Sequence, residues 1–240
     1  MDFSANREWL ENLSRIEHRQ DALVVAGDIA HQTEKIAVTF ELLQERFSEV
    51  FFVPGNHELW VRGEAGNSLD KFMQILDLCD RCGVHTRMHR WGDWWIAPLF
   101  SWYSARFDSE DRGSISALSA WGDFRYCRWP EEVGELDSYF SGFNEDLTRP
   151  SSGRVLTFSH FLPRIELLPD PVYLRFKGLP KVAGSTVVES QLRALGSELH
   201  VFGHSHIYWD ETIDGVRYRQ HQLGYPQERR DRKFALAQVA

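Results

Sequence analysis

Val50-Phe51-Phe52-Val53-Pro54-Gly55-Asn56-His57-Glu58 is an apolar run stopped by proline and glycine and followed by an amide, an imidazole and a carboxylate. Proline cannot donate to a central ladder, so a strand ends there and the backbone turns. The three polar side chains then stand at a strand end, where α/β sheets place their chemistry. By itself the stretch reads as a turn with a solvated histidine; its surroundings change that reading.

Leu23-Val24-Val25-Ala26-Gly27-Asp28 upstream repeats the pattern of an apolar run followed by ligand-type residues. So do Val155-Leu156-Thr157-Phe158-Ser159-His160 and His200-Val201-Phe202-Gly203-His204-Ser205-His206 downstream. Four strand ends supplying Asp, Asn and His in this order are poorly explained as independent surface turns, since each would cluster good metal ligands without a use.

The elements between them predict one α/β domain over residues 1–240. Trp9, Leu10, Leu13 and Ile16 predict an opening helix over 5–19, strand 22–26 follows, and Ile36, Phe40, Leu43 and Phe47 predict a helix over 33–47. Ser68 to Arg81 reads as a helix closed by Gly83, with short strands near 84–87 and 94–102. Pro130, with Val133, Leu136, Phe140, Phe143 and Leu147 behind it, predicts a further helix ending near Pro150. Strand 154–159 precedes a long functional loop, 161–184, and a helix that Thr186 and Glu189 open by capping-box spacing. Asp214-Gly215 predicts a hairpin between 207–212 and 216–221, and a last strand runs over 233–239. The tryptophan-rich stretch 91–129 reads as strands and loops over the site, its aromatics serving chiefly as anchors.

A formal net charge of -8 argues against sequence-independent nucleic-acid binding and against anionic membranes, so a phosphate-bearing partner must be caught locally. Three cysteines are too few and too odd for a disulfide framework. Cys79 and Cys82 fall on a helical apolar pattern and read as packing. No run of about 18 apolar residues and no signal peptide are visible, which makes the cytoplasm the default address.

The ordered set Gly27-Asp28, Gly55-Asn56-His57-Glu58, His160 and Gly203-His204-x-His206 resembles the calcineurin-like metallophosphoesterase family across most of the chain. The resemblance implies a four-layer α/β/β/α sandwich of two mixed sheets, with two divalent cations (manganese, iron or zinc) on loops at strand ends. It implies that Asp28 bridges both metals, that Asn56, His160 and His204 complete one, that His206 binds the other, and that His57 stands beside them as the catalytic group. The implied reaction is hydrolysis of a phosphomonoester or phosphodiester by a metal-bound hydroxide, with His57 steadying charge or protonating the leaving oxygen. Glu58 is given a supporting or capping role, and Arg164 is a candidate phosphate clamp. His18, His31, His85, His89, His200 and His221 lie outside the motif positions and read as ordinary structural residues.

Family members begin with a strand ending in Asp-x-His, whereas this sequence passes from Met1 straight into its first helix. The resemblance therefore implies that the first strand and two ligands of one metal lie outside the sequence, through a start placed at an internal methionine or through a real loss. One metal, on Asp28, Asn56, His160 and His204, is then expected to remain, and an exposed sheet edge beside strand 22–26 is expected to reduce solubility. The competing reading is a phosphoesterase-like scaffold with a degenerate metal site that binds a protein partner.

Overall fold

A computed structural model describes residues 1–63, 65–229 and 234–240. The elements run α1 (Ser4–Glu11), β1 (Ala22–Val25), α2 (Thr33–Gln44), β2 (Glu49–Phe52), α3 (Ser68–Cys82), β3 (His89–Trp91), β4 (Trp94–Pro98), α4 (Asp123–Tyr126), α5 (Leu136–Gly142), β5 (Arg154–Phe158), α6 (Thr186–Leu195), β6 (Leu199–Val201), β7 (Trp209–Ile213), β8 (Val216–Gln220) and α7 (Pro226–Arg229). Two sheets result. β1 and β2 pair in parallel, and the second sheet has the order β3-β4-β5-β6-β8-β7, with parallel neighbours from β4 to β8 and antiparallel β3 and β7 at its edges. Only the larger sheet is mixed.

Alternation along β4 and β5 builds the layers. Ile96, Leu156 and Phe158 face one core, shared with Val50, Phe51 and Phe52 of β2, Phe40 of α2 and Phe72 of α3. Ala97 and Val155 point the other way, onto Val188, Leu192 and Leu195 of α6. Successive residues of a strand serve opposite faces, so one sheet glues two layers and the sandwich is α/β/β/α.

The sequence pattern reproduces β1, α2, β2, α3, β5, α6 and β6 to within a few residues. α3 ends at Gly83, whose φ of 67° is the left-handed closure expected of it. The hairpin turns on Asp214 (φ 49°) and Gly215 (φ 83°), the paired positive angles that a tight two-residue turn demands.

Other expectations fail for local reasons. α1 stops at Glu11, because the Ser14 hydroxyl accepts from the backbone of Ile16 and Glu17 and folds the chain into a turn; Ile16 is 83% exposed. The segment 84–87 makes a single bridge, His85 to Phe51, and the strand forms later at β3, on exposed residues without alternation. The helix expected from Pro130 is interrupted at Gly134 (φ 69°) and survives as a 3-10 turn followed by α5. α6 is capped by the Ser185 side chain, not by a Thr186–Glu189 box; the Glu189 carboxylate accepts from Tyr218 and Arg193 instead.

No strand forms over 234–239, and residue 233 lies outside the described residues. Phe234, Ala235 and Gln238 instead offer carbonyls to Trp9, His221 and Arg219. Between this segment and β1 runs a groove of about 650 Å³, with Leu10, Leu23, Val25, Ile96, Leu236 and Val239 among its walls. Among the described residues β1 has one partner strand, β2. No helix among the described residues is long and apolar enough to cross a membrane.

Candidate metal centre

The C-terminal ends of β1, β2, β5 and β6 meet at one place, and each delivers its motif there. The backbone is bent to do so. Asp28, His204 and His206 have φ values of 60°, 66° and 54°, a region that costs a non-glycine residue about 1–3 kcal/mol. Glycines supply the room between the loops: a Cβ on Gly27 would lie 2.5 Å from His160 Nδ1, and one on Gly203 would lie 2.7 Å from the Ala26 carbonyl oxygen. The glycines of the motifs are there for close approach.

Two backbone carbonyls decide the chemistry of the histidines. His160 Nδ1 lies 2.7 Å from the Ala26 oxygen, and His204 Nε2 lies 2.9 Å from the Val182 oxygen. A carbonyl only accepts, so each of these nitrogens carries the proton, and a lone pair is left on His160 Nε2 and His204 Nδ1. Burial, with His160 beside it, holds His204 well below the usual imidazole range and keeps it neutral.

Those two lone pairs converge on a third and a fourth. His160 Nε2 is 3.1 Å from His204 Nδ1, 3.1 Å from Asn56 Oδ1 and 3.5 Å from Asp28 Oδ1, and His204 Nδ1 is 3.2 Å from Asn56 Oδ1. With both imidazoles in these tautomers, no proton lies between these atoms. Such a group fits a cation: ligands about 2.1 Å from a metal stand about 3.0 Å apart in an octahedron and 3.4 Å apart in a tetrahedron. A carboxylate, an amide and two imidazoles also match the hardness of manganese, iron or zinc.

Glu58, given only a supporting role by the sequence, clamps the two loops together. Its buried carboxylate accepts from the backbone N–H of Asp28 (2.8 Å), Ile29 (2.6 Å), Ala30 (3.1 Å) and Gly55 (2.7 Å). Burial and then the Asp28 charge push this carboxyl up, while the backbone donors from Gly55 and Asp28 pull it back. Glu58→Gln places an amide N–H₂ against N–H donors, and should lower unfolding free energy by about 1–3 kcal/mol, read as a fall in the urea midpoint. A midpoint equal to that of the parent chain would remove the clamp.

His57 lies beside the group. Its backbone N–H donates to Asp28 Oδ1 (3.1 Å), its Nε2 is 4.0 Å from Asp28 Oδ2, and its ring stacks on Trp60 with centroids 3.8 Å apart. His206 lines the same groove, but its Nδ1 is paired with Glu228 Oε2 at 2.9 Å, and it is not among the converging atoms. Against the cost of burial, Glu228 raises the His206 pKa.

Arg164, the candidate phosphate clamp, already has partners of opposite charge. Its guanidinium is held by Glu166 (3.0 Å), Glu189 (3.3 Å) and Asp214 (2.8 Å), three carboxylates that use the charge meant for phosphate. His31 pairs with Asp2 before α2, and His200 is buried between Thr157 and Ser159 with its pKa pushed down to about 3, a neutral pin across β5 and β6. The three cysteines are free thiols.

Sequence reading missed Asp123, Trp60, Trp121 and the carbonyls of Ala26 and Val182. Asp123 Oδ1 accepts from Asn56 Nδ2 (2.8 Å) and Trp60 Nε1 (2.6 Å), and Oδ2 from Trp121 Nε1 (2.8 Å). The one signal was Gly122-Asp123 inside an aromatic-rich stretch, since a Cβ on Gly122 would lie 2.9 Å from Trp60 Cζ2.

A family model described as calcineurin-like phosphoesterase matches residues 2–208. The chain is 28% identical over 236 residues to acyl-carrier-protein phosphodiesterase PptH of Mycobacterium tuberculosis (strain ATCC 25618 / H37Rv), with 89% of this chain and 72% of that protein covered. It resembles the crystal structure of phosphopantetheinyl hydrolase (PptH) from Mycobacterium tuberculosis with a TM-score of 0.77 at 26% identity, covering 97% of this chain and 89% of that one. TT1561 of Thermus thermophilus shares the fold at a TM-score of 0.50 and 13% identity, over 90% of this chain and 83% of that chain.

Proposed function

The chain belongs to the calcineurin-like phosphoesterase family, and on that premise we propose that it is a metal-dependent phosphodiesterase whose first candidate substrate is the phosphopantetheinyl ester of a carrier protein. The observation that carries the metal dependence is the convergence of four lone-pair atoms, from Asp28, Asn56, His160 and His204, with no proton among them. One relative, PptH, matched at 28% identity by sequence and 26% by structure, supports the diester and the carrier protein by its name.

A divalent cation bound there supplies polarisation of a phosphoryl oxygen and acidification of water. Asp28, Asn56, His160 and His204 hold it, and the Ala26 and Val182 carbonyls keep both imidazoles in the ligating tautomer. His57, ordered by its stack on Trp60 and its N–H bond to Asp28, donates a proton from Nε2 to the departing alcohol oxygen as its bond to phosphorus breaks and water's oxygen bonds there; the water releases one proton to solvent, and solvent restores the proton on His57. His206 lines the approach with its own carboxylate partner, Glu228, and is the residue available to a second cation.

The test is hydrolysis of bis(p-nitrophenyl) phosphate and of a phosphopantetheinylated carrier protein, each with added manganese. Both should turn over, stop on addition of EDTA and resume on restoring the metal. Hydrolysis of the simple diester alone would keep the metal reading and remove the carrier protein. Manganese binding without turnover of either would replace the enzyme by a binding scaffold.

A further inference from the structure

Asp123 lies 67 residues from Asn56 in the chain and is 3% exposed, yet one of its oxygens meets the Asn56 amide at 2.8 Å. A carboxamide has two ends of nearly the same shape, and only the nitrogen end donates. A carboxylate only accepts. Asn56 must therefore turn its nitrogen to Asp123, and the oxygen is left facing His160 Nε2 and His204 Nδ1 at 3.1 and 3.2 Å. The reverse orientation would aim N–H₂ into the lone-pair cluster, where it would displace a cation.

The same carboxylate orders the walls beside two other site residues. Through Trp60 Nε1 it sets the indole that stacks on His57, and through Trp121 Nε1 it sets the indole whose edge meets the His204 ring at 5.7 Å between centroids. Its two oxygens thus accept from three donors that belong to three sides of the site.

We infer that Asp123 is a positioning residue of the metal centre: its carboxylate selects the orientation of the Asn56 amide that presents oxygen to the cation, an inference that rests on the metal reading above. An asparagine at this position has one acceptor oxygen for three N–H donors, and its own N–H₂ faces the Asn56 amide or an indole. Asn56 then loses the partner that distinguishes its two ends.

Calorimetric titration of manganese into the full chain, Asp123→Asn, Asn56→Ala and the double variant tests this directly. Asp123→Asn should weaken manganese by about 10- to 100-fold, and the double variant should bind no more weakly than Asn56→Ala alone, because Asp123 acts through Asn56. Affinity of Asp123→Asn within about threefold of the parent, or losses that multiply in the double variant, would overturn the inference.

A second measurement needs no variant to fold. With ¹⁵N-asparagine labelling of the metal-free chain, the Asn56 carboxamide protons should exchange with solvent at least about tenfold more slowly than those of exposed Asn12. Equal exchange would overturn the positioning role. Failure of the parent chain to bind manganese, with Asn56 still protected, would overturn the metal reading and with it the function assigned to the contact.

Discussion

Gly55→Ala should abolish hydrolysis and weaken manganese binding by more than about 100-fold, the upper end of what displacing a ligand's support costs. A Cβ at this position would sit inside contact distance of Asp28 Oδ1, 2.6 Å from His160 Cε1 and 2.7 Å from His160 Nδ1. Neither neighbour can give way. Asp28 is tied to the His57 N–H and stands in a left-handed conformation, while the His160 ring is held by the Ala26 carbonyl. The methyl must push the two groups off their convergence, and overpacking of this kind costs about 1–3 kcal/mol of stability as well. Manganese titration together with a urea melt separates the two effects. A folded alanine variant that binds metal within about threefold of the parent would show that the loops adjust, contrary to the packing described.

His57→Ala should lower kcat for a phosphate diester with an alkyl leaving group by about 10²- to 10⁴-fold, the range of a lost proton donor, while manganese affinity stays within a few-fold. The split follows from position. The His57 ring lies at 4.0 Å from Asp28 and outside the converging group, so its loss removes no ligand. The leaving group provides the sharper readout. p-Nitrophenolate departs without a proton, whereas an alkyl alkoxide does not, so the loss should be small for bis(p-nitrophenyl) phosphate and large for a carrier-protein ester. Equal losses on both would assign His57 to binding or charge stabilisation and remove it as the acid.

The strand-end motifs were readable because each is contiguous: an apolar run, a glycine that permits a turn or close approach, then a ligand. The resemblance carried by their order along the chain marked Asp28, Asn56, His57, His160, His204 and His206; the structure brings the first five to one place, and His206 lines the adjoining groove paired with Glu228. Arg164 was marked by its place four residues after His160, and that spacing did not disclose that Glu166, Glu189 and Asp214 would pair with it. The last strand at 233–239 was marked by apolar residues; over the described part these carry backbone hydrogen bonds to side chains rather than to a ladder.

Sequence by itself determined the α/β class, the hairpin at Asp214-Gly215 and the strand-end placing of the ligand-type residues, because periodicity and turn chemistry are local properties of a chain; the layers and the ligand set came from the resemblance that the ordered motifs carry. Tertiary structure alone decided which nitrogen of each histidine holds its lone pair and which way Asn56 points. It also decided what Glu58 clamps. Those outcomes depend on Ala26 meeting His160 across 134 residues, Val182 meeting His204 across 22, and Asp123 meeting Asn56 across 67. A carbonyl or a carboxylate selects a proton position only when packing brings it within about 3 Å, and no local pattern records that approach.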